Sequence, residues 1–362
     1  MKLNQIFADH MILQANKRVH IFGEGKGIAK VELAGETGQV TSEGGNWCIS
    51  LPAKDYGGPY ILRAELNGEI TEICDVYFGD VFLLSGQSNN QLKMWQTNTP
   101  DEYYRNNDAL RLFTVDRLED QGTHVLTEEG WKSFSEDGTE KCMEGEHYRA
   151  KDGWISAVKE EIRFWPALGY LMGNALSADR KVGLIACYQG ASQIQSWLPN
   201  HFLEGTEQFM PLDRRAWAAQ APEYSAWNGD GMLYEGMLEK ILPFSLKAVL
   251  WYQGESNSGG EDGRREIYSG ILAKLIEKWR EDFRDESLLF LVVQIHDFTY
   301  EIEARSYWTE VQAGQEMACQ QVPNAVLIRC GDICEHDTIH PPTKLPLAMR
   351  IVDALKGNTA EK

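Results

Sequence analysis

Five short apolar runs, separated by longer amphipathic or polar stretches, constrain the fold of this chain more than any other feature. The runs are VFLLS, KVGLIACY, KAVLWYQG, LLFLVVQI and NAVLIRC, and helical periodicity appears between them, for example from Tyr268 to Asp282. Parallel strands joined by crossover helices produce this rhythm. The pattern therefore predicts an α/β domain built on a parallel sheet.

The first seventy or so residues have a different pattern. Segments such as RVHIFGEG, KVELAGE, WCISLPA and YILRAEL are rich in β-favouring residues and are broken at Gly, Asn and Pro, as in a small antiparallel sandwich. We therefore expect a β-sandwich domain over residues 1–75 and a second domain, built on the parallel sheet, over residues 76–362. Residues 96–159 are polar and weakly patterned, and we interpret them as an insertion or long loop region.

The charge balance limits the classes of partner. The 362 residues carry a formal net charge of -19 at pH 7. Binding to nucleic acid or to an anionic membrane surface needs clustered Lys and Arg, so neither partner is expected. No stretch is long and apolar enough to span a bilayer. The sequence leaves the oligomeric state open.

The cysteines and the amino terminus indicate the cellular compartment in which the protein is expected. The seven cysteines are scattered, odd in number and without paired CxxC spacing, which argues against a disulfide framework or a zinc site. The first residues, MKLNQIFADHMILQANKRVH, lack the pattern of a secretory signal. We expect a cytoplasmic protein, with secretion as the alternative if a leader has been removed.

Small, amide, hydroxyl or titratable residues follow four of the apolar runs. SGQSNN follows VFLL, QGASQIQSW follows GLIACY, QGESN follows AVLWY, and GDICEHDTIHPP follows AVLIRC. In an open parallel sheet the ligand site lies beyond the carboxyl ends of the strands. The four segments are therefore predicted to converge in space.

Ser88 is the candidate nucleophile of this set. It follows a predicted strand and is flanked by Gly86 and Asn89, so a tight turn into a helix could expose its hydroxyl near helix-terminal N–H groups. The alternative is that Ser88 and Asn89 only cap a helix. Asn90 stands where G-x-S-x-G has its second glycine, which disfavours the α/β-hydrolase elbow.

His340, in DTIHPP, is the candidate base, because a hydroxyl needs a base near neutral pH and imidazole has a suitable pKa of about 6.5. Asp337 lies three residues earlier and could orient the ring. The alternative is that the Asp-x-x-His pair caps a helix. Asp332 and Glu335 are rival acids.

Gly190 and Gln253 complete the candidate chemistry. The backbone N–H groups of Ser88 and Gly190, with the Gln253 amide, are neutral donors suited to the oxyanion of an acyl-transfer intermediate. A glycine turn and a buried, hydrogen-bonded glutamine are the plainer alternatives. Glu255, in QGESN, could instead belong to a glycosidase pair of carboxylates.

Taken together, these blocks resemble the GDSL-like SGNH hydrolases, specifically the sialate O-acetylesterase group. The resemblance extends over nearly the whole chain, through NQIFADHMILQ, GGPY, GDVFLLSGQSNN, VGLIACYQGASQIQSWL, AVLWYQGESN and DTIHPPTK. It implies a flavodoxin-like, three-layer α/β/α hydrolase domain and no cofactor or metal. It also implies that Ser88 is the nucleophile, that His340 is the base, and that Gly190 and Gln253 belong to the oxyanion hole.

The resemblance predicts a serine esterase that removes O-acetyl groups from sugars through an acyl-enzyme. Sialic acid is the family's namesake substrate, and acetylated xylan or other oligosaccharides are the alternatives. We expect Gln87, Asn89, Glu255 and Trp251 to contact the substrate or support the site. Two departures are expected to alter substrate contacts: Asn90 replaces the usual Met, and Gln189-Gly190-Ala191 replaces Gly-Gly-Thr.

A catalytically silent carbohydrate-binding protein is the rival from another class. It would keep the β-domain and a cleft in which Trp95, Trp197 and Trp251 stack on sugar, and it would lack one of the reacting groups. All of the expected reacting groups are present in this sequence, which favours the enzyme.

Overall fold

The computed structural model describes residues 1–118, 153–211, 225–299 and 306–357. The amino-terminal strands are β1 (Lys2–Leu3), β2 (Ile12–Gln14), β3 (Val19–Glu24), β4 (Gly27–Leu33), β5 (Glu36–Ser42), β6 (Asn46–Leu51) and β7 (Gly57–Leu66). The long strand β8 (Glu69–Gly86) follows. The remaining strands are β9 (Asn107–Thr114), β10 (Ile155–Ala157), β11 (Val182–Tyr188), β12 (Ala248–Tyr252), β13 (Leu289–Val293) and β14 (Ala325–Ile328).

The α-helices lie mainly between the later strands. They are α1 (Ser88–Gln91), α2 (Ala167–Leu176), α3 (Ser225–Asn228), α4 (Met232–Gly236), α5 (Arg265–Asp282), α6 (Trp308–Gln321) and α7 (Leu345–Leu355). Short 3-10 turns cover Met94–Gln96, Asp101–Tyr103, Ile162–Phe164, Ile194–Trp197, Leu238–Ile241, Asn257–Gly259 and Glu261–Gly263. In the described parts of the chain, no helix is both long enough and apolar enough to cross a membrane.

The predicted parallel sheet is present. Its strand order is β10-β9-β11-β8-β12-β13-β14, with every neighbouring pair from β9 to β14 parallel and β10 antiparallel at the edge. Strand β8 is central, pairing with β11 on one side and β12 on the other. The chain adds strands first on one side of β8 and then on the other. The sheet therefore has its switch point at β8, where the ligand site of such sheets lies.

The helix predicted between Tyr268 and Asp282 is confirmed as α5, which begins three residues earlier, at Arg265. Its buried side chains recur every three or four residues, from Tyr268 through Leu272 and Leu275 to Trp279. This spacing places them on one face of the helix. Helix α5 packs against α6, and α7 packs against α2.

Except for β2, which pairs parallel with β8, the amino-terminal strands pair antiparallel, as their pattern predicts. Strand β3 pairs with β1 and β6, and β4 pairs with β5 and β7. Strand β7 pairs with the first part of β8, whose last residues belong to the parallel sheet. The boundary expected at residue 76 therefore lies inside a single strand of 18 residues, because β8 serves both regions.

The interpretation of residues 96–159 as a loop region is wrong for part of its length. Strands β9 and β10 lie within it, while residues 119–152 are outside the described residues. The apolar run of β9, NDALRLFT, is interrupted by Arg111, which concealed the strand. That guanidinium is buried and donates to the Asp75 carboxylate at 3.0 Å and to the His10 carbonyl at 3.2 Å, so a central strand accommodates a charge.

Strand β3 carries a buried histidine, His20, whose titration should make the stability of the fold depend on pH. The His20 ring lies 2.8 Å from Ser50 Oγ. Burial, with further contributions from Arg284 and Arg18, lowers the pKa of His20 to about 4. Between that pKa and an unfolded pKa of about 6.5, only the unfolded chain binds the proton. Stability is therefore lost as the pH falls from about 6.5 to about 4.

We predict that His20→Gln weakens this pH dependence. Between pH 7 and pH 4.5, the wild-type free energy of unfolding should fall further than that of the variant, by up to roughly 3 kcal/mol. Urea titrations at the two pH values measure the difference, and carboxylates that titrate in this range affect both proteins alike. Equal losses in the two proteins would contradict a depressed histidine pKa.

Candidate active site

Two of the four segments that follow the strands bring their candidate residues into direct contact. Ser88 lies immediately after β8, and His340 lies on the loop after β14. The distance from Ser88 Oγ to His340 Nε2 is 2.7 Å. Ser88 is half-buried and His340 is exposed, so the pair is accessible. The predicted convergence of these two segments is confirmed.

The turn before Ser88 is built on a close approach between two strands. Gly86 has φ +121, and a Cβ there would lie 2.2 Å from the carbonyl oxygen of Tyr252 on β12. Only glycine fits such a position. Gln87 N donates to the same carbonyl at 2.9 Å, and helix α1 begins at the next residue. Ser88 is thereby fixed at the start of that helix.

Gln87 is a supporting residue in this structure. Its side chain is buried, and its Oε1 accepts from Gly254 N at 3.3 Å and from Ser256 N at 3.2 Å. These bonds join the nucleophile turn to the QGES loop after β12. The amide holds neighbouring backbone segments together rather than facing the site.

The loop that carries His340 is held by several hydrogen bonds. His340 N donates to Thr338 Oγ1 at 3.2 Å, and the Thr338 carbonyl accepts from His296 Nε2 at 2.8 Å. Burial is the main cause that lowers the pKa of His296 to about 4, so this ring is neutral at pH 7. Asn98 Nδ2 donates to Thr343 Oγ1 at 2.7 Å, which ties the far end of the loop to the segment after α1.

The structure does not bring Asp337 to His340. Asp337 is exposed, and within the described residues its carboxylate makes no hydrogen bond or ion pair. The rival acids have other partners. Asp332 forms a two-pronged pair with Arg350 at 2.6 and 2.7 Å, and Glu335 accepts from the Thr343 hydroxyl. Asp337 is three residues from His340 in the sequence, but in the folded loop its side chain is exposed to solvent.

Two backbone donors lie next to the hydroxyl. A Cβ built on Gly190 would lie 3.9 Å from Ser88 Cβ, so the two residues are neighbours. Within the described residues, neither backbone N–H makes a hydrogen bond. Ser88 N is one of the first-turn groups that have no acceptor within their own helix. Both N–H groups are therefore available to an incoming oxyanion.

Gln253 has different contacts from those expected of an oxyanion donor. Its Nε2 donates to the Ser192 carbonyl at 2.9 Å and to Asn257 Oδ1 at 2.7 Å, and its Oε1 accepts from the Tyr268 hydroxyl at 2.9 Å. The side chain is fully buried. Since an amide has two N–H groups, both are already used. The donor role stays a prediction that requires one of these bonds to break.

The tryptophans expected to stack on sugar belong mostly to the core. Trp197 and Trp251 are fully buried and pack edge to face, with ring centroids 6.2 Å apart, and Trp279 contacts both. Trp251 lies on β12, between β8 and β13. It therefore supports the site without contacting the substrate. Trp95, by contrast, is 53% exposed.

Asn89 and Glu255 are bonded to each other inside the protein. Asn89 Nδ2 donates to Glu255 Oε1 at 2.6 Å, and both side chains are buried. A carboxylate so enclosed is not placed to protonate a glycosidic oxygen, which removes the basis of the glycosidase alternative.

Asn90 is also structural. Its Nδ2 donates to the carbonyls of Ser85 and Leu250 at 2.8 and 3.0 Å. This departure therefore changes the support between β8 and β12 rather than a substrate contact.

Several residues that build the site were missed in the sequence. Lys344 donates to Asn89 Oδ1 at 2.8 Å, and its only sequence signal is its place in the DTIHPPTK block. Asn257 and Asp262 hold the Gln253 amide and its neighbours, but polar residues of a loop give no sign that they are buried.

Within the described ranges, no group of three or more His, Cys, Asp or Glu side chains could hold a metal ion.

Comparison with known proteins places this geometry in a family. The family model described as carbohydrate esterase, sialic acid-specific acetylesterase matches residues 78–349, which include every block named above from β8 onward. This chain belongs to that family. The solved structure of a carbohydrate acetylesterase from Xanthomonas citri superposes with a TM-score of 0.75 at 24% identity, covering 98% of this chain and 74% of that one. The two proteins share a fold.

The curated relatives are longer proteins than this chain. The sialate O-acetylesterase of Pongo abelii is 24% identical over 344 residues, covering 86% of this chain and 60% of the relative. That of Mus musculus is 23% identical over 359 residues, covering 86% and 63%. The chain therefore spans about three fifths of the length of these relatives.

We predict that Asp337 and His340 differ in their importance to turnover. Asp337→Asn should lower kcat by less than about tenfold, because no hydrogen bond joins the carboxylate to the ring, whereas His340→Asn should remove most of the rate. Acetate release measured above pH 7 compares the two variants. Losses of equal size would show that Asp337 orients the base during turnover.

Proposed function

We propose that this protein is a serine esterase that removes O-acetyl groups from carbohydrates through an acyl-enzyme. The observation that carries the proposal is the 2.7 Å contact between Ser88 Oγ and His340 Nε2 at the carboxyl edge of the sheet. A hydroxyl hydrogen-bonded to an imidazole is the arrangement that activates serine as a nucleophile. Membership of the carbohydrate esterase family supplies the substrate class.

In the first half of the reaction, Ser88 Oγ attacks the acetyl carbonyl while His340 Nε2 takes its proton. The resulting oxyanion would accept from the N–H groups of Ser88 and Gly190. Such fixed donors stabilise the transition state more than the ground state, because the negative charge develops only during attack.

In the second half, His340 returns its proton to the sugar oxygen, and the C–O bond of the ester breaks. Water then attacks the acetyl-serine while His340 takes one of its protons. His340 returns that proton to Ser88 Oγ as the acyl–Oγ bond breaks, and acetic acid leaves and ionises to acetate. Every proton in this cycle passes through one imidazole nitrogen. The proposal therefore requires no residue beyond the pair and its oxyanion donors.

The finer details are proposals of the same kind. Sialates are one substrate class, as the names of the relatives suggest, and acetylated xylan or other oligosaccharides are the alternative.

We also propose that the helices form layers on both faces of the sheet and that the amino-terminal strands form a sandwich. Nucleic acid and anionic membranes are not proposed as partners, given the net charge of -19.

We predict that Ser88→Ala lowers kcat by roughly a thousandfold or more without changing the fold. The change removes one small, half-buried hydroxyl and leaves its neighbours in place. Ser287→Ala is the control, because Ser287 lies at an exposed turn, where its hydroxyl donates to the Asp285 carboxylate, and it should keep wild-type activity.

The measurement is acetate release from p-nitrophenyl acetate and from acetylated sugars by purified protein. Near-normal activity in Ser88→Ala would overturn the nucleophile assignment. An inactive wild type that binds acetylated sugar would instead support the silent carbohydrate-binding protein.

A further inference from the structure

A buried cluster of three polar side chains lies between the segments that carry the reacting pair. Lys344 Nζ donates to Asn89 Oδ1 at 2.8 Å, and Asn89 Nδ2 donates to Glu255 Oε1 at 2.6 Å and to the Ile339 carbonyl at 2.9 Å. The three side chains are at most 1% exposed. They come from the segments after β8, β12 and β14, so the cluster joins three strand ends.

The partners of Asn89 permit one orientation of its amide. An ammonium only donates, whereas a carboxylate and a carbonyl only accept. Asn89 Oδ1 must therefore face Lys344, and its NH₂ group must face Glu255 and Ile339. With all three bonds made, the amide cannot rotate without losing at least one.

The position of these bonds along the chain links them to the reacting pair. Asn89 directly follows Ser88, and Ile339 directly precedes His340. The bond from Asn89 to the Ile339 carbonyl therefore joins the backbone beside the nucleophile to the backbone beside the base. Lys344 supplies the donor that holds the amide in the orientation this bond requires.

Burial of the lysine makes a purely stabilising role a poor explanation. Burial lowers the pKa of Lys344, and only part of that effect is offset by Cys334, Cys330, Glu255 and Glu335. Its ammonium also lies 5.3 Å from the centroid of the Tyr252 ring. Apolar side chains of similar volume often stabilise a fold as well as a buried ionic cluster does. What the lysine provides and an apolar residue cannot is the directed donor.

We propose that Lys344 is a positioning residue for the base. Through Asn89 and its carboxylate partner Glu255, it fixes the His340 loop against the Ser88 turn. This inference rests on the proposed esterase function. Without the ammonium, Asn89 Oδ1 loses its donor and the buried Glu255 carboxylate loses a nearby positive charge, so the amide is no longer fixed in this orientation and its bond to the Ile339 carbonyl weakens. The imidazole then leaves the geometry in which it can take the serine proton.

Lys344→Met tests the proposal, because methionine keeps an unbranched side chain and removes the donor. The kcat for p-nitrophenyl acetate should fall by roughly thirtyfold or more, since small misplacements of reacting groups cost about a hundredfold. KM should change by less than about threefold, because no group proposed to contact the substrate is altered. Active-site titration restricts both constants to folded, reactive protein.

Lys17→Met is the matched control. Lys17 Nζ donates to the Leu246 carbonyl at 2.8 Å and pairs with Asp285, so it is another partly enclosed lysine with specific partners, away from the pair. Its loss should lower Tm and leave kcat unchanged. If Lys344→Met lowers only Tm, as the control does, the residue is structural and the proposal is wrong.

A double-mutant cycle tests the route through Asn89. If Lys344 acts through that amide, combining Lys344→Met with Asn89→Leu should give a loss close to that of the worse single variant. Multiplied losses would overturn the route. Should Lys344→Met give too little folded protein, Asn89→Asp tests the same route, because it keeps the acceptor for Lys344 and removes the donor to the Ile339 carbonyl. Its kcat should fall by a similar factor with KM retained, and an unchanged kcat would contradict the proposal.

The two proposals fail in different ways. Full activity in Lys344→Met together with an inactive Ser88→Ala would overturn only the positioning role. A wild type with no esterase activity would overturn both.

Discussion

The close approach of β8 to β12 at Gly86 is the constraint on which the rest of the site depends. A side chain at Gly86 would collide with the Tyr252 carbonyl, since its Cβ would lie 2.2 Å away. With no side chain there, the two strands end side by side and Gln87 bonds across to the loop after β12. Helix α1 can then begin at Ser88, at the centre of the sheet's carboxyl edge.

Buried amides hold the backbone turn that contains Gly190, one of the two predicted backbone donors to the oxyanion. Gln253 bonds to the carbonyl of Ser192, which lies two residues after Gly190. Asn257 fixes the Gln253 amide in turn, and it also accepts from Ile194 N at 3.1 Å. The Gly190 turn is thereby held by partners on the neighbouring loop, and its own N–H is left available.

Sequence patterns predicted what depends on the backbone and missed what depends on side-chain direction. Alternating apolar runs predicted the parallel sheet, and the polar residues after them predicted that Ser88 and His340 would meet. Spacing could not show that Asp337 faces solvent, nor that Trp251 is enclosed by strands on both sides. Strand β9 was missed because Arg111 breaks its apolar run, and the partners that make its burial acceptable, Asp75 and the His10 carbonyl, are distant in sequence.

Hydrogen bonds hold the backbone of the loop that carries His340. Three consecutive residues of this loop are held by hydrogen bonds: Thr338 by His296, Ile339 by Asn89, and the His340 N–H by the Thr338 hydroxyl of the same loop. His296 donates through Nε2 and has a pKa lowered to about 4, mainly by burial, so this bond persists through the neutral range. In a triad the acid orients the ring and stabilises its charge. Here hydrogen bonds fix the backbone that carries the imidazole, so the solvent-facing Asp337 is not needed to hold that backbone in place.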